Sequence, residues 1–503
     1  MVLNVSDRQL VLPPTASGVL IDSLQRQRGV GHTRLIWGDS VPITAGNVVE
    51  GENVLTKEMN DRLTRVGPGT PAGELFRRYW QPFAGAAQLQ ERATLKVRLL
   101  GEDLALFRDR SGQLGLVAEL CPHRRCSLAY GVPESIGIRC PYHGWLFDNE
   151  GNCLEQPAES THSRFKDRVK TTAYPVKEMG GLFWAYMGPG EPPILPRHDY
   201  FVQPNSIREI GRTILPVNWL QAMENSLDPT HSEWLHSWFT YYLRNGKSQA
   251  ADGGFPQARH AKIGFDVFDY GIVKRRYYTG GSEEDNDWKI GHPVIFPNML
   301  KVSNDFQIRV PIDDETTLHY LYTVVSFPGV QAPEQEVVPV YDYPIFKENG
   351  EIYTDFVLQQ DMMAWITQGR IADRTVEHLG ASDRGIMIYR KVLDEMISRV
   401  ENGEDPLGVF RDSDPDEQVN IPIDSMSPPL TPTSVRSAGR GSFTGDTGTR
   451  TDVVIDLEVI EKQMRMGQNL LSPILDERIK MQLEYLEMLR SGNAEISQLD
   501  RIY

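Results

Sequence analysis

The chain has 503 residues, 40% hydrophobic and 24% charged, with a formal net charge of −16. That composition suits a globular protein of about two to four domains. No apolar run approaches the roughly 18–20 residues of a membrane span, residues 1–20 lack the order of a secretory signal, and the acidic balance argues against nucleic acid as a partner.

In chain order, residues 1–53 read as an extension with little periodicity, and 54–80 as a helical lead-in that packs on the larger module downstream. Met59, Leu63 and Val66 recur at helical spacing until Gly67-Pro68-Gly69 interrupts them, and Leu75, Tyr79 and Trp80 predict a second short helix. Residues 81–200 form a small β-rich module of short strands and turns, such as Leu104–Phe107, Asp109–Gly112 and Gly181–Tyr186. In 201–424 a helical signal runs from Trp219 to Trp238, opened near Asn218. Strands follow from Ile263 to Phe327, then long helices near Gln359–Thr367 and Arg384–Asn402. Residues 425–455, rich in Ser, Thr, Gly and Pro, predict a flexible linker. The tail, 456–503, carries a helical stripe of Leu475, Ile479, Leu483, Leu486 and Leu489, expected to pack on its own subunit or on a neighbour.

All four cysteines, Cys121, Cys126, Cys140 and Cys153, fall within residues 121–153. A disulfide framework would spread them through a small secreted protein, so their clustering among histidines predicts a metal site in a reducing compartment, the cytoplasm. Cys121-Pro122-His123-Arg124 is followed by Cys140-Pro141-Tyr142-His143-Gly144-Trp145. Two such loops are compatible with zinc or with iron–sulfur. Zinc sites more often use Cys-x₂-Cys with His-x₃₋₅-His, whereas one thiolate and one imidazole per loop suits a [2Fe–2S] cluster with two cysteines on one iron and two histidines on the other.

These loops resemble the Rieske family motif, Cys-x-His followed by Cys-x₂-His. Cys126 imitates the extra first-loop cysteine of respiratory Rieske proteins, but Tyr142 stands where its second-loop partner would be. Cys126 and Cys153 are therefore read as small buried residues, and the pattern fits the oxygenase branch. Arg125 departs from the Gly that many oxygenases have there.

A mononuclear site is expected downstream. Asp228-Pro229-Thr230-His231, with His236 five residues on, offers two imidazoles for Fe(II), and a carboxylate must complete the set. Residues five apart lie about 140° apart on an α-helix, so the helix must end or distort between the histidines. After a Rieske domain, Asp-x₂-His-x₄-His resembles the iron motif of ring-hydroxylating oxygenases. The resemblance assigns Asp228 to an electron bridge across a subunit boundary, puts Asn225 near the iron, and implies a homo-trimer or stacked trimers. The segment Gln359-Gln360-Asp361, continuing through Asp373-Arg374 to His378 and Asp383, is similar to the phthalate 4,5-dioxygenase large-subunit group, where the aspartate opens a helix and completes the triad. That role passes to Asp361. Asp355 and Asp373 are the fallbacks, Asp373 being read as a structural ion pair with Arg374, and His378 as a hydrogen-bonded structural residue. The resemblance spans about residues 54–425, including Arg65–Pro71.

The implied fold class is α+β: a small all-β Rieske [2Fe–2S] domain plus an α+β catalytic domain with an antiparallel sheet flanked by helices. The implied protein is the terminal oxygenase of a multicomponent system. It uses O₂ and electrons from a separate NAD(P)H-dependent reductase, with or without a ferredoxin, to hydroxylate or dihydroxylate an aromatic, carboxylated substrate. Oxidative O-demethylation of a methoxylated aromatic acid is the alternative, and a pure electron carrier a distant one. Arg275 and Arg276 are candidates to anchor the carboxylate, and strand alternation assigns at least one of them to solvent.

Overall fold

The computed structural model describes residues 54–245, 259–302, 304–412, 414–421 and 472–490. The expected extension 1–53 and linker 425–455 lie outside the described residues, as do parts of the tail. Among the described residues no helix is long and apolar enough to cross a membrane.

Three small sheets build the first module. Trp80–Gly85, Leu182–Tyr186 and Val176–Met179 make one, in which all five residues of the central strand are buried. Thr94–Leu99, Glu102–Arg108, Leu114–Ala118 and Ala173–Tyr174 make the second. The third is a run of very short strands, Val132–Pro133, Ile138–Arg139, Leu146–Phe147 and Cys153–Glu155, and it carries the second Cys/His loop. Trp80, expected in a helix, opens the first strand because the lead-in helix ends at Arg77.

The larger module is organised by an eight-stranded sheet: His260–Phe268, Gly271–Tyr278, His292–Ile295, Met299–Val302, Asp305–Asp313, Thr316–Val325, Ile207–Leu215 and Val340–Asp342. Every pairing is antiparallel except the last. The Trp219–Ser226 helix lies against the Asp305–Asp313 strand. The helices Val357–Thr367 and Arg384–Glu401 in turn lie against the Trp219–Ser226 helix. One hydrophobic cluster runs through both modules, from Trp80 and Trp184 to Phe201, Phe306 and Trp219. The two modules thus share a core.

A buried charge network fixes the Trp219–Ser226 helix. Glu224 receives Arg374 at 2.8 and 2.7 Å and Arg390 at 2.6 Å, Arg390 also pairs with Glu377, and Arg374 reaches Asn60 of the lead-in at 3.0 Å. Burial by itself would raise the Glu224 carboxyl, but the two guanidiniums outweigh it and hold it below its ordinary value. Arg374 was expected to pair with Asp373. Instead Asp373 is exposed and closes its own turn on Thr375, because a buried guanidinium needs a buried carboxylate.

The tail helix, Leu475–Arg490, docks on its own chain with Ile479 of the expected stripe buried, joined by residues outside the stripe. Ile474, Met481 and Tyr485 join Ile207, Val325, Phe327 and Val330, while Leu475 and Leu483 stay half-buried.

Candidate metal centres

The first Cys/His loop leaves the Leu114–Ala118 strand, and the second joins Ile138–Arg139 to Leu146–Phe147. Backbone bonds tighten both: Arg125 N–H donates to Cys121 O at 2.9 Å, and Gly144 N–H to Cys140 O at 3.0 Å. Gly144 has φ +76°, and a Cβ there would meet Pro157 at 3.1 Å, which explains the glycine of the motif. Arg125 has φ +60°, the left-handed conformation that glycine adopts without strain.

Cys121 and Cys140 are almost fully buried, whereas His123 is exposed and His143 half-buried. The imidazole centroids of His123 and His143 lie 4.5 Å apart, and His123 stacks on buried Trp145 at 4.4 Å. Burial, reinforced by the neighbouring Cys140, pushes the Cys121 thiol up to about 12, unfavourable for a free nucleophilic thiolate. Two inner sulfurs and two outer imidazoles fit a [2Fe–2S] cluster ligated asymmetrically. Cys126 is half-buried beside Cys140, and Cys153 is buried.

The second site starts where the Trp219–Ser226 helix, capped by the Asn218 side chain on Leu220 N–H, runs out at Leu227. Pro229 has no N–H to continue it. Asp228 Oδ1 accepts from Thr230 N–H at 2.7 Å and from its hydroxyl at 2.6 Å, turning the chain into a new helix. That helix, Ser232–Phe239, is a π-helix. Its hydrogen bonds join residues five apart, so residues at that spacing stack along one face, as residues four apart do in an α-helix. This is the distortion that the His231/His236 spacing requires, extended over eight residues. The two rings lie 5.0 Å apart.

Asp361 meets them from the Val357–Thr367 helix. Its Oδ1 is 3.1 Å from His236 Nε2 and 3.6 Å from His231 Nε2, and ligand atoms of the three residues lie within 4.8 Å of one another. Asp361 does not open its helix: it sits in the second turn, where its side chain is aimed by a formed helix. Asn225 Nδ2 donates to Asp361 Oδ1 at 3.3 Å. Asp355, Asp373 and His378 are exposed and take no part. Two imidazoles and one carboxylate are the donor set of a mononuclear non-haem Fe(II) site. The far side of His231 faces Asp228, with Oδ2 3.5 Å from Nδ1. Burial would raise the Asp228 carboxyl, but His231 and Thr230 hold it well below the usual carboxylate range.

The sequence did not single out several neighbours. Gln360 Oε1 lies 3.1 Å from His236 Nδ1. Two adjacent glutamines precede Asp361, and only helix phase separates them: Gln360 is buried, while Gln359 is half-buried and bonds Pro344 O. Burial and, more weakly, the charge of Lys274 on the Gly271–Tyr278 strand oppose protonation of the His236 ring, but Asp361 outweighs them and holds it above its ordinary value. Arg276, two residues on and on the same face, reaches Ser232 Oγ of the π-helix at 3.4 Å. Arg275 points the other way, to Asp266 at 2.6 Å and to the carbonyls of Trp288 and Lys289.

Comparison with known proteins identifies the family. Residues 79–175 match the model of the Rieske [2Fe-2S] domain, and residues 350–422 the model described as LigXa C-terminal domain like. The chain is 42% identical to the 5,5'-dehydrodivanillate O-demethylase oxygenase subunit of Sphingobium sp., covering 77% of this chain and 91% of that protein. It is 35% identical to the phenoxybenzoate dioxygenase subunit alpha of Ectopseudomonas oleovorans (70% and 88% covered). It is 32% identical to the phthalate 4,5-dioxygenase oxygenase subunit of Pseudomonas putida (71% and 89%). The chain therefore belongs to the oxygenase subunits of the Rieske non-haem iron oxygenases, in the phthalate 4,5-dioxygenase-like group.

Proposed function

We propose that Cys121, Cys140, His123 and His143 hold the [2Fe–2S] cluster, that His231, His236 and Asp361 hold the mononuclear iron, and that the enzyme oxygenates an anionic aromatic substrate. The observation that carries this reading is the convergence of His231, His236 and Asp361 in a chain that also bears the Rieske loops. When bound, the cluster supplies one-electron transfer and the mononuclear iron supplies activation of dioxygen. Electrons come from a separate NAD(P)H-dependent reductase, directly or through a ferredoxin. Asn225 orients the Asp361 carboxylate through its amide.

Lys274 and Arg276 support the anionic substrate. They put positive charge on the strand face turned toward the iron ligands, Arg276 also lying 3.7 Å from Asp287, while Arg275 faces away to Asp266. Aromatic acids are the substrates named for two relatives, phthalate and phenoxybenzoate.

Asp228 is the bridge between His231 and the cluster-bearing loops of a neighbouring subunit in a trimer or stacked trimers. Two features support a docked tip: the exposed imidazole of His123, and the exposed Tyr130, Ile136, Tyr142 and Phe165 in the cluster-bearing module. Exposed Trp234, Phe356 and Val357 lie on or beside the helices that carry His236 and Asp361. The ligand thiols must stay reduced, which favours the cytoplasm.

A second reading is favoured by the 42% identical relative, an O-demethylase subunit. Hydroxylation of an aryl methyl ether, consuming O₂, two electrons and two protons, releases the phenol, formaldehyde and water. A panel of aromatic acids with and without methoxy groups, turned over with a surrogate reductase under ¹⁸O₂, tests both. Ring-labelled diols or phenols support ring oxygenation, and formaldehyde with an unlabelled phenol supports demethylation. No product from any aromatic acid, with both metals present, would sink the substrate class.

A further inference from the structure

Gln360 is 1% exposed, and its side chain has three polar neighbours. Oε1 is 3.1 Å from His236 Nδ1, while Nε2 is 2.8 Å from Thr240 Oγ1 and 3.1 Å from Thr354 O. A backbone carbonyl can only accept, so the end of the amide that faces Thr354 must be the NH₂ end. The oxygen is then the end that faces His236, and it too can only accept. Nδ1 of His236 must therefore carry the ring hydrogen, leaving Nε2 with its lone pair on the side of Asp361.

We propose that Gln360 is a positioning residue that fixes the tautomer and ring orientation of His236 for metal ligation; this rests on the reading of His236 and Asp361 as iron ligands. Adjacent residues on a helix project about 100° apart, so Gln360 and Asp361 address opposite nitrogens of one ring. Thr240 directly follows the π-helix and Thr354 precedes the helix of Asp361, so the Gln360 amide also ties together the two segments that supply ligands. The two histidines are supported differently. His231 is backed by the carboxylate of Asp228, His236 by a neutral amide. A carboxylate draws the ring proton and makes the imidazole a stronger donor, whereas an amide only orients it.

The test uses the full chain with its cluster intact and Co(II) loaded anaerobically in place of the mononuclear iron. Affinity is read by chelator competition and coordination by the visible ligand-field bands. Gln360→Leu should keep the cluster spectrum, bind Co(II) about 10–100-fold more weakly and show altered bands. Gln360→Glu keeps an acceptor for Nδ1, and the Thr240 hydroxyl can turn to donate to it, but its second oxygen cannot donate to Thr354 O. It should recover part of that loss, with bands shifted toward stronger donation. Gln359→Leu should match wild type. Gln360→Leu binding Co(II) as wild type, or Gln360→Glu binding it no better than Gln360→Leu, overturns the proposal. If Asp361→Ala and His236→Ala also bind Co(II) as wild type, the ligand reading itself has failed, whatever Gln360 does.

Discussion

The two candidate metal centres are built on opposite principles. The proposed cluster ligands come from two tight loops within residues 121–143, each held by backbone bonds between near neighbours. The proposed iron ligands come from residues 231, 236 and 361, on two helices whose meeting depends on the whole larger module. A loop site carries its geometry with it, so the order Cys-x-His, Cys-x₂-His nearly defines it. A helix-borne site is set by helix phase and by what pins the helices, here the π-helix and the Glu224 network. The difference predicts that mutations should separate the two centres cleanly.

The largest effect should come from Asp361→Ala. Iron should fall from about three to about two per chain, and turnover should vanish while the cluster spectrum stays unchanged. Cys140→Ser should do the converse, losing the cluster chromophore but retaining Co(II) binding at the other site. If either substitution empties both centres, the separation is wrong.

Next is Glu224→Gln, which leaves Arg374 without its carboxylate and Arg390 with Glu377 alone, and should cost about 3–5 kcal/mol in denaturant unfolding. Because the folded state holds the Glu224 carboxyl below its ordinary value, its contribution is fully present above the unfolded pKa and lost as pH falls through the folded one. Wild type should therefore lose on acidification a stability increment that the variant never has. Mononuclear iron should leave before the cluster does, since this network fixes the helix that leads directly into the His231 segment.

Asp228→Asn should be milder for folding, because asparagine caps nearly as well and can still accept from Thr230 N–H. It should retain both metals and reduce its cluster normally, with cluster oxidation and turnover slowed about 10–100-fold. Mixed oligomers of Cys140→Ser and His231→Ala chains should regain activity if Asp228 bridges neighbours. Normal cluster oxidation in Asp228→Asn, or inactive well-assembled mixtures, would remove the bridge. The smallest effect belongs to the loop site: Arg125→Gly relieves a left-handed residue and should raise stability by about 1 kcal/mol, seen as slower cluster loss on heating.

The sequence by itself determined the chemistry of the loops, because turn residues, thiols and imidazoles at short range admit few geometries. It also determined that something must distort between His231 and His236, since α-helical phase forbids their convergence. Only the tertiary structure decided that the distortion is a π-helix, because competing hydrogen-bond ladders differ by one residue of register that composition does not encode. It likewise decided that Asp361, and neither Asp355 nor Asp373, meets the two rings, and that Gln360 rather than Gln359 backs one of them. Strand alternation turned Arg276 toward the iron ligands and Arg275 toward Asp266. On the tail helix Met481 and Tyr485 are buried beside Ile479, while Leu475 and Leu483 are half-buried. In each case the decision lies in which face of a helix or strand is turned inward, and that is set by elements up to hundreds of residues away in the chain.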